Sequence, residues 1–434
     1  MHRIWTNVEN DADLQTYRGL GVVPQSQINA ATLDAIKIDL SVLENTPGIE
    51  GILKNCSCPV VFDLALPCSL DFDEPKRKKL IRLISIAQIL VLDSYVTEFL
   101  LNCNITTTQS IQEAASELLH FGAKSILLLG KQARENLWIH DYCTNGDSSF
   151  WLTQTRNAAA KYPEIRSVLT AAITGALALE HPPHDAIIIG KMYAHQALRR
   201  ANTTLYYGEF PENEADLPYL SSLPIQQAPQ PFRRCSHLGL YPIVDSPDWV
   251  EMLVKLGVKT IQLRIKEQTK NLEEDIRRSI ALAKKHQVLL FINDYWELAL
   301  KLNAEAVHLG QTDLDAADID LIRHQGLLLG VSTHCYYEVS RAHAICPSYI
   351  AIGPVYPTSS KKMPFVAQGI ERLYRWQRTL NYPLVAIGGI NFERMSAVLA
   401  SGVQGVALIS ALTKAEDPQR VTKQLLGFID NYEN

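Results

Sequence analysis

Short apolar runs alternate with amphipathic stretches throughout the second half of the chain. The apolar runs occupy residues 238–244, 258–264, 288–293, 304–309, 327–332, 349–354, 383–389 and 405–410. Residues 272–286, 294–302 and 391–401 lie between them and have helical spacing. Strands that are apolar along their whole length are buried on both faces, which requires a parallel sheet with helical crossovers. Eight strand–helix units predict a (β/α)8 TIM barrel. The missing GxGxxG after the first strand disfavours the alternative, an open doubly wound sheet.

The first half of the chain also alternates between apolar and helical stretches, with fewer of each. Residues 34–40, 58–66, 87–93, 124–130 and 184–190 are predicted strands, and residues 109–121 and 166–180 are predicted helices. The smaller number of strands favours an open sheet with helices on both faces, a three-layer α/β domain, over a second closed barrel.

A proline-rich segment separates the two halves. Residues 211–235 contain five prolines and no sustained period. Proline removes a backbone donor and blocks helix continuation, so this composition is typical of an extended connector. We therefore expect an α/β domain at 1–210, a linker at 211–235 and the barrel at 236–434.

The composition excludes several classes of protein. Of 434 residues, 47% are hydrophobic and 20% are charged, which excludes a disordered or collagen-like chain. The 41 Lys and Arg against 46 Asp and Glu give a net charge of −5, so we expect neither a nucleic acid nor a membrane as a partner. The amino terminus lacks the apolar core of a signal peptide, and no apolar stretch reaches the ~20 residues that span a bilayer. We expect a cytoplasmic protein, and the sequence leaves open whether it is a homo-oligomer.

Polar residues collect where the strands of the predicted barrel end. The successive strand ends carry Gln262, Arg264 and Lys266, then Asn293 and Asp294, His308 and Asp313, Ser332 and His334, the segment 353–362, Gly388 and Gly389, and finally Ile409 and Ser410. The carboxyl ends of barrel strands are where the sites of barrel enzymes lie. The sequence therefore predicts one site at this end of the barrel.

These residue types predict anion binding assisted by a metal ion. Asp294 and Asp313 follow neighbouring strands, so their carboxylates can share one Mg²⁺ that keeps waters and substrate phosphates as further ligands. Arg264, Lys266 and Lys361 would neutralise a diphosphate. Glycines and backbone N–H groups after the last two strands form the usual phosphate site of a barrel. Two anion sites at one barrel mouth suggest that two phosphorylated small molecules are joined there.

Each of these residues alone also has a structural explanation. Asp294 and Asp313 can each cap the helix that follows. His308 and His334 are more simply explained as hydrogen-bonded structural histidines. The joint occurrence of polar residues at seven successive strand ends is what favours a functional site.

Eight segments of the second half closely resemble the thiamine-phosphate synthase family, also called thiamine-phosphate pyrophosphorylase. They are YPIVD, IQLRIK, FINDYWELAL, AEAVHLGQTDL, GVSTH, AIGPVYPTSSKK, VAIGGIN and GVALISA, and they keep the family's order over about residues 237–415. The resemblance implies a (β/α)8 barrel that joins hydroxymethylpyrimidine diphosphate to a thiazole phosphate, giving thiamine phosphate and diphosphate.

The resemblance also implies a role for each matching residue. The residues implied to contact the pyrimidine diphosphate are Gln262, Leu263, Arg264, Ile265, Lys266, Asn293, Ser332 and Lys361. Those implied to hold the thiazole phosphate are Thr358, Ser360, Gly389, Ile409 and Ser410, and Ser359 is implied to bind substrate. Asp294 and Asp313 would bind Mg²⁺, and Arg264, Lys266 and Lys361 would be the catalytic cations. Ser360 stands where many members have threonine, which keeps the hydroxyl.

The implied mechanism is dissociative. Diphosphate leaves, the electron-rich aminopyrimidine stabilises the resulting methylene cation, and the thiazole nitrogen attacks. No side-chain nucleophile is needed, so catalysis rests on positioning and on charge stabilisation at the leaving group.

The first half resembles the hydroxymethylpyrimidine phosphate kinase branch of the ribokinase-like fold over about residues 1–200. The matching segments are DAIKIDLSVL, CPVVFDLAL, AASELLHFGAKSILLLG and SVLTAAITGALALE. The match begins downstream of the family's glycine-rich loop, and the family's GTGC anion hole falls on residues 164–167, which read Glu-Ile-Arg-Ser. The family's Pro-Asn is replaced by Ser94 and Tyr95, although Glu98 remains. We therefore expect a truncated, non-catalytic kinase-like domain.

Three alternatives remain open at this point. The chain can be a bifunctional kinase and synthase, its barrel can be a thiazole tautomerase, or the whole chain can be a ligand-sensing or interaction protein. A tautomerase needs no diphosphate–metal site, and an inactive barrel has no need of its acidic metal ligands. The retained Arg264, Asp294 and Asp313 therefore favour the synthase.

Overall fold

The structure is a computed structural model of the chain. It describes residues 2–5, 11–25, 32–40, 48–65, 74–130, 137–156, 162–235, 238–266, 270–358 and 366–433. The chain divides into two compact units, Met1–Ala228 and Pro229–Asn434. Within the described ranges, no helix has both the length and the apolar character needed to cross a membrane.

The first unit is built on a nine-stranded mixed sheet. Its strands are β1 (Arg3–Trp5), β2 (Val23–Gln25), β3 (Ala35–Asp39), β4 (Val60–Leu64), β5 (Ile89–Asp93), β6 (Ile126–Leu129), β7 (Trp138–Thr144), β8 (Ser149–Thr155) and β9 (Tyr219–Ser221). Their order in the sheet is β2-β1-β3-β4-β5-β6-β7-β8-β9. Strands β1 to β6 are parallel, and β7, β8 and β9 extend the sheet in antiparallel pairing.

Helices cover both faces of this sheet, as predicted. They are α1 (Asp11–Leu20), α2 (Ile49–Lys54), α3 (Glu74–Ile84), α4 (Ser94–Leu101), α5 (Thr108–His120), α6 (Ile165–Ala178) and α7 (Pro183–Arg199). One face packs against α2, α3, α4 and α5. On the other face α6 contacts β1, β3 and β4, with α1 and α7 packed against it. Since both faces are covered, the central strands are mostly apolar, although Lys37 in β3 and Asp63 in β4 are buried charged residues.

The predicted strand at 184–190 is wrong. These residues belong to helix α7, in which Ile187, Ile188 and Ile189 are all fully buried. A short apolar run has the same pattern in a buried helix as in a buried strand, so periodicity alone does not separate the two. Pro182 and Pro183 precede the run and place it at the start of a helix, where proline is tolerated.

The second unit is a closed barrel of eight parallel strands. They are β10 (Gly239–Val244), β11 (Thr260–Leu263), β12 (Leu289–Asn293), β13 (Ala306–Leu309), β14 (Leu328–Thr333), β15 (Tyr349–Ile352), β16 (Leu384–Ile387) and β17 (Gly405–Leu408). Seven of them lie within the predicted runs, β14 extends one residue beyond its run, and β10 pairs with β17 to close the barrel. The predicted TIM barrel is confirmed.

Helices follow each barrel strand and form the outer ring. They are α8 (Pro247–Lys255), α9 (Leu272–His286), α10 (Trp296–Lys301), α11 (Gln311–Ala316), α12 (Ile319–His324), α13 (Tyr336–Ile345), α14 (Gly369–Thr379), α15 (Phe392–Ala400), α16 (Ser410–Thr413) and α17 (Pro418–Glu433). The barrel interior is filled by inward-facing side chains, among them the mutually packed rings of Tyr241, Phe291 and Tyr349.

The segment predicted as a linker is divided between the two units. Strand β9 pairs with β8 in the sheet of the first unit. Farther along, the backbone of Phe232 donates to the carbonyl of Cys346 at 2.9 Å, and both Phe232 and Cys235 are buried in the second unit. The proline content is therefore compatible with docked segments at both ends of 211–235, and the division into 1–210, 211–235 and 236–434 stays a prediction.

Candidate active site

A cavity of about 450 Å³ opens at the carboxyl ends of the barrel strands. Ten of the predicted site residues line it: Gln262, Arg264, Asn293, Asp294, Asp313, Ser332, Thr358, Gly389, Ile409 and Ser410. In the closed strand order, β12 lies opposite β16 and β13 lies opposite β17. The two aspartates therefore stand across the cavity from the glycine turn and from Ser410.

The remaining predicted site residues are placed differently. Leu263 is buried and Lys266 is exposed, and neither they nor Ile265 line the cavity. Strand β11 ends at Leu263, so the alternation that would bring Lys266 to the same face as Gln262 does not continue that far. Ser359, Ser360 and Lys361 lie outside the described residues.

Asp294, directly after β12, and Asp313, in the helix α11 that follows β13, approach each other closely. Burial and the neighbouring Asp313 carboxylate raise the pKa of Asp294 to about 6, while Arg264 and a hydrogen bond from Asn293 act in the opposite direction. Two carboxylates in one partly buried site disfavour ionisation of both, and a cation between them would remove that repulsion.

The backbone at Asp294 is in the left-handed region, with φ of 64°. This conformation is uncommon for a residue other than glycine, although Asp and Asn adopt it more readily than most. The helix that follows, α10, has Tyr295 at its N-cap without a side-chain capping bond, and α11 has Gly310 there. Neither aspartate therefore serves as the N-cap residue of the helix that follows it.

The two carboxylates are suited to a hard divalent cation. In the part of the chain that the structure describes, no group of three or more His, Cys, Asp and Glu side chains is placed to hold a metal. A site with two carboxylates suits an ion that takes its other oxygen ligands from water and from substrate phosphates. The side-chain amide of Asn293 adds a neutral polar group beside Asp294.

The opposite wall of the cavity is formed by backbone. Gly388 and Gly389 follow β16 with φ of 99° and 65°. A Cβ on Gly388 would lie 2.5 Å from Pro354 Cβ, and one on Gly389 would lie 2.5 Å from the carbonyl oxygen of Pro357. Both positions thus require glycine. Because glycine has no side chain, the backbone at these positions can be reached from the cavity, which Ile409 and Ser410 also line.

Sequence reasoning missed several residues of the cavity wall. These are Tyr241, Gln311, Glu338, Arg341 and Tyr349. The side chain of Glu338 accepts hydrogen bonds from the backbone of His334 at 2.7 Å and is 2.6 Å from its Nδ1. The spacing of four residues between His334 and Glu338 was a visible signal, because residues four apart meet near a helix start.

His308 and His334 have protein partners, as the structural interpretation predicted. Nδ1 of His308 is 2.6 Å from the hydroxyl of Tyr349, and its Nε2 is 2.8 Å from the hydroxyl of Ser332. His308 therefore connects a predicted substrate-binding residue, Ser332, to the barrel interior.

In the first unit, Arg166 lies at the start of helix α6, within the segment that aligns with the kinase anion hole. Its guanidinium forms ion pairs of 2.7 Å with Asp63 and 2.8 Å with Asp93, at the carboxyl ends of β4 and β5. It also donates to the carbonyl of Leu64 at 2.8 Å. An arginine side chain thus lies at this helix start, and its charge is already balanced by the two carboxylates.

A second buried ion pair lies next to Arg166. Lys37 donates to both oxygens of Asp13 at 2.7 Å, and Ser167 donates to Asp13 at 2.6 Å. Lys37 and Asp13 are almost fully buried. Glu98, which the kinase resemblance retains, accepts a hydrogen bond from the backbone of Ile105 at 2.8 Å.

A known family profile matches a part of each unit. Residues 240–412 match the family profile described as thiamine monophosphate synthase, and residues 49–212 match the one described as phosphomethylpyrimidine kinase. A thiamine-phosphate synthase of Proteus mirabilis strain HI4320 is 54% identical over 195 residues, which cover 44% of this chain and 91% of that protein.

Solved structures resemble each unit as well. A thiamine phosphate pyrophosphorylase from Pyrococcus furiosus is 29% identical, with a TM-score of 0.41, and covers 45% of this chain and 98% of its own. A pyridoxal kinase from Staphylococcus aureus is 15% identical, with a TM-score of 0.43, and covers 51% of this chain and 98% of its own.

Fold and site together define an enzyme of the (β/α)8-barrel class, with carboxylates on one wall of its cavity and a glycine turn on the other. Since a relative 54% identical is covered over nine-tenths of its length, the chain belongs to the thiamine-phosphate synthase family, whose members are transferases.

Proposed function

We propose that the barrel joins 4-amino-2-methyl-5-(diphosphooxymethyl)pyrimidine to a thiazole phosphate, releasing diphosphate and forming thiamine phosphate. The observation that carries this proposal is the arrangement of one cavity, with Arg264, Asp294 and Asp313 on one wall and the glycine turn on the opposite wall. A reaction that joins two phosphorylated molecules needs two anion sites within reach of each other.

We assign the metal to the two aspartates. Asp294 and Asp313 would hold Mg²⁺, whose positive charge, when bound, helps neutralise the departing diphosphate. Burial and the neighbouring Asp313 carboxylate raise the pKa of Asp294, and this supports the assignment because a bound cation would stabilise the ionised carboxylates.

The pyrimidine diphosphate would occupy the wall formed by β11, β12 and β14. Arg264 neutralises diphosphate oxygens, and Gln262, Asn293 and Ser332 orient the pyrimidine ring. The sequence resemblance adds Lys266 and Lys361 as further cations for this anion. Arg264 lies close enough to Asp294 to oppose the rise of its pKa. This proximity supports a shared role of the two residues at the leaving group.

The thiazole phosphate would occupy the opposite wall. Thr358, Gly389, Ile409 and Ser410 line that part of the cavity, and the sequence resemblance adds Ser360 there and Ser359 as a substrate-binding residue. Backbone N–H groups at two glycines can approach a phosphate more closely than any larger residue would allow.

The chain contributes charge and position to the reaction. Arg264 stabilises negative charge as diphosphate leaves, while the closed barrel floor of aromatic side chains restricts water around the electron-deficient methylene carbon. The thiazole is held on the opposite wall so that its nitrogen faces that carbon. Covalent catalysis by a side chain is not part of the proposal.

We propose that the first unit does not transfer phosphate. The profile match over 49–212 favours a bifunctional enzyme, but the side chain of Arg166 is placed at the start of the helix and pairs with Asp63 and Asp93. The test is ATP- and Mg²⁺-dependent conversion of hydroxymethylpyrimidine phosphate to its diphosphate by the full chain. Robust conversion would overturn this part of the proposal.

Product analysis separates the three candidate functions of the barrel. The purified chain is incubated with both substrates and Mg²⁺, and thiamine phosphate and diphosphate are quantified. We expect equal amounts of both products, with neither formed when one substrate is omitted. Isomerisation of a thiazole carboxylate phosphate without the pyrimidine would favour a tautomerase, and binding without conversion would favour a sensor.

A further inference from the structure

Five polar side chains form one continuous hydrogen-bonded chain across the interior of the barrel. Gln262 Nε2 donates to the hydroxyl of Tyr241 at 3.2 Å, and the hydroxyls of Tyr241 and Tyr349 are 2.8 Å apart. The hydroxyl of Tyr349 is 2.6 Å from His308 Nδ1, and His308 Nε2 is 2.8 Å from Ser332 Oγ. All five residues line the candidate active-site cavity, and each comes from a different barrel strand.

The packing of the barrel interior accommodates this hydrogen-bonded chain and keeps its hydroxyls protonated. A Cβ at position 330 would lie 2.3 Å from the ring of Tyr349 and 2.4 Å from its hydroxyl, so Gly330 makes space for the tyrosine. The ring of His308 stacks on that of Tyr349 with centroids 5.6 Å apart. The two tyrosines are fully buried, and burial raises the pKa of each hydroxyl well above its usual value, so both keep their protons.

The Gln262 amide sets the direction of the chain, because its Nε2 donates to the Tyr241 hydroxyl. The distances alone name no donor between the two phenols or at His308 Nδ1, and the direction that gives each phenol proton an acceptor has Tyr241 donating to Tyr349 and Tyr349 donating to His308 Nδ1. The neutral imidazole then carries its proton on Nε2 and donates it to Ser332 Oγ. The Ser332 hydroxyl is left to donate its own proton toward the cavity, and Gln262 is left with its amide oxygen as an acceptor.

An aminopyrimidine matches this polarity. Its exocyclic amine donates and the adjacent ring nitrogen accepts, whereas the corresponding oxopyrimidine has a carbonyl acceptor beside a ring N–H donor. A buried site whose donors and acceptors are fixed rejects the reversed pattern, because the mismatch leaves polar groups without partners.

We propose that Tyr241, Tyr349 and His308 are positioning residues that fix the hydrogen-bond direction of Gln262 and Ser332, so that the cavity selects an aminopyrimidine diphosphate over the corresponding oxopyrimidine diphosphate. This inference rests on the proposed synthase function and deepens it. None of the three touches the reacting atoms; they act through Gln262 and Ser332.

The test is the ratio of two dissociation constants. The full chain with Mg²⁺ is titrated by calorimetry with the aminopyrimidine diphosphate and with its oxo analogue. Tyr349→Phe removes one hydroxyl and keeps the ring, so we expect the preference for the amino compound to fall at least about tenfold. Tyr241→Phe interrupts the hydrogen-bonded chain at another point and should lower the preference to the same extent. It serves as the test if Tyr349→Phe does not fold.

A matched control exists on the same barrel. Tyr382 is buried with its hydroxyl 3.0 Å from His343 Nδ1, outside the cavity lining. Tyr382→Phe loses a comparable buried hydrogen bond and should keep the wild-type ratio, whatever its effect on the melting temperature.

The outcomes separate this inference from the proposed function. A wild-type chain that binds neither pyrimidine diphosphate overturns both. A wild-type chain that binds both equally overturns the inference alone. The same holds if the folded tyrosine variants keep the wild-type preference, or if Tyr382→Phe loses it to the same extent.

Discussion

Asp294 and Asp313 place two carboxylates against each other at neighbouring strand ends of the barrel, and Asp294 does so with a left-handed backbone. Repulsion between the carboxylates and an uncommon φ both work against the stability of the folded chain. Such an arrangement persists where function requires it, and here a cation between the two groups would convert the repulsion into binding energy.

The first prediction concerns these two carboxylates. Asp294→Asn or Asp313→Asn should lower turnover on the order of 10²-fold or more, because metal-assisted departure of diphosphate is worth several kcal/mol. Each variant should also raise the melting temperature of the metal-free chain, since one charge of the repelling pair is gone. Steady-state kinetics over a Mg²⁺ series and thermal unfolding without metal check both effects.

Asp315→Asn is the control for the first prediction. Asp315 lines the same cavity but its carboxylate is paired with Arg341. Its substitution should leave the Mg²⁺ dependence unchanged. Wild-type turnover at limiting Mg²⁺ in both Asp294→Asn and Asp313→Asn would remove the metal assignment.

The second prediction concerns the glycine turn. Gly389→Ala should raise the KM for the thiazole phosphate about tenfold or more and that for the pyrimidine diphosphate less, because its Cβ would lie 2.5 Å from a carbonyl oxygen and displace the turn. Gly257→Ala is the matched control, as Gly257 also has a positive φ but no atom within 4 Å of the added Cβ. An equal effect of the two substitutions on KM would contradict a phosphate site at Gly389.

The third prediction concerns the first unit. Arg166→Ala leaves the buried Asp63 without its cation and should lower the free energy of unfolding of this unit by about 3 kcal/mol. The substitution should leave the kinetics of the barrel unchanged. Lys79→Ala, which removes an exposed ion pair with Glu50 at 3.8 Å, should cost less than about 1 kcal/mol. Urea denaturation of both variants measures these free energies of unfolding. Equal decreases in the two variants would contradict the prediction.

The fourth prediction concerns the division of the chain. A fragment of residues 229–434 contains the closed barrel and its core, so it should fold and keep synthase activity. A fragment that begins at residue 238 lacks Phe232 and Cys235, whose backbones bond to Cys346 and Ser348, and should melt at a lower temperature. An unfolded fragment 229–434 would show instead that the barrel depends on the first unit.

The sequence predicted the barrel more completely than the first unit. The eight barrel strands are mostly apolar and are separated by helical stretches, so one pattern repeats without ambiguity. The hairpin of β7 and β8 was missed because its strands mix polar and apolar residues, although Asn145-Gly146 between them is a strong turn signal. The run at 184–190 was misassigned because an apolar run in a buried helix looks like a strand.

The same contrast applies to the site. Residues at a strand end or directly after one, such as Ser332 and Asp294, were found because strand ends meet at one edge of the barrel. Tyr241 and Tyr349 lie within strands and look like ordinary core residues, so their polar contacts depend on the register between strands. Lys266 was predicted at the end of the second barrel strand, but β11 ends three residues earlier and Lys266 does not line the cavity.

The central claim is that one cavity holds two anions on opposite walls, and a comparison of two variants tests it most directly. KM values for both substrates are measured in Arg264→Ala and in Ser410→Ala. We predict that Arg264→Ala raises the KM for the pyrimidine diphosphate at least about tenfold more than that for the thiazole phosphate, since it removes a bidentate cation. Ser410→Ala should show the reverse preference. Equal losses for both substrates in both variants would contradict the two-site arrangement.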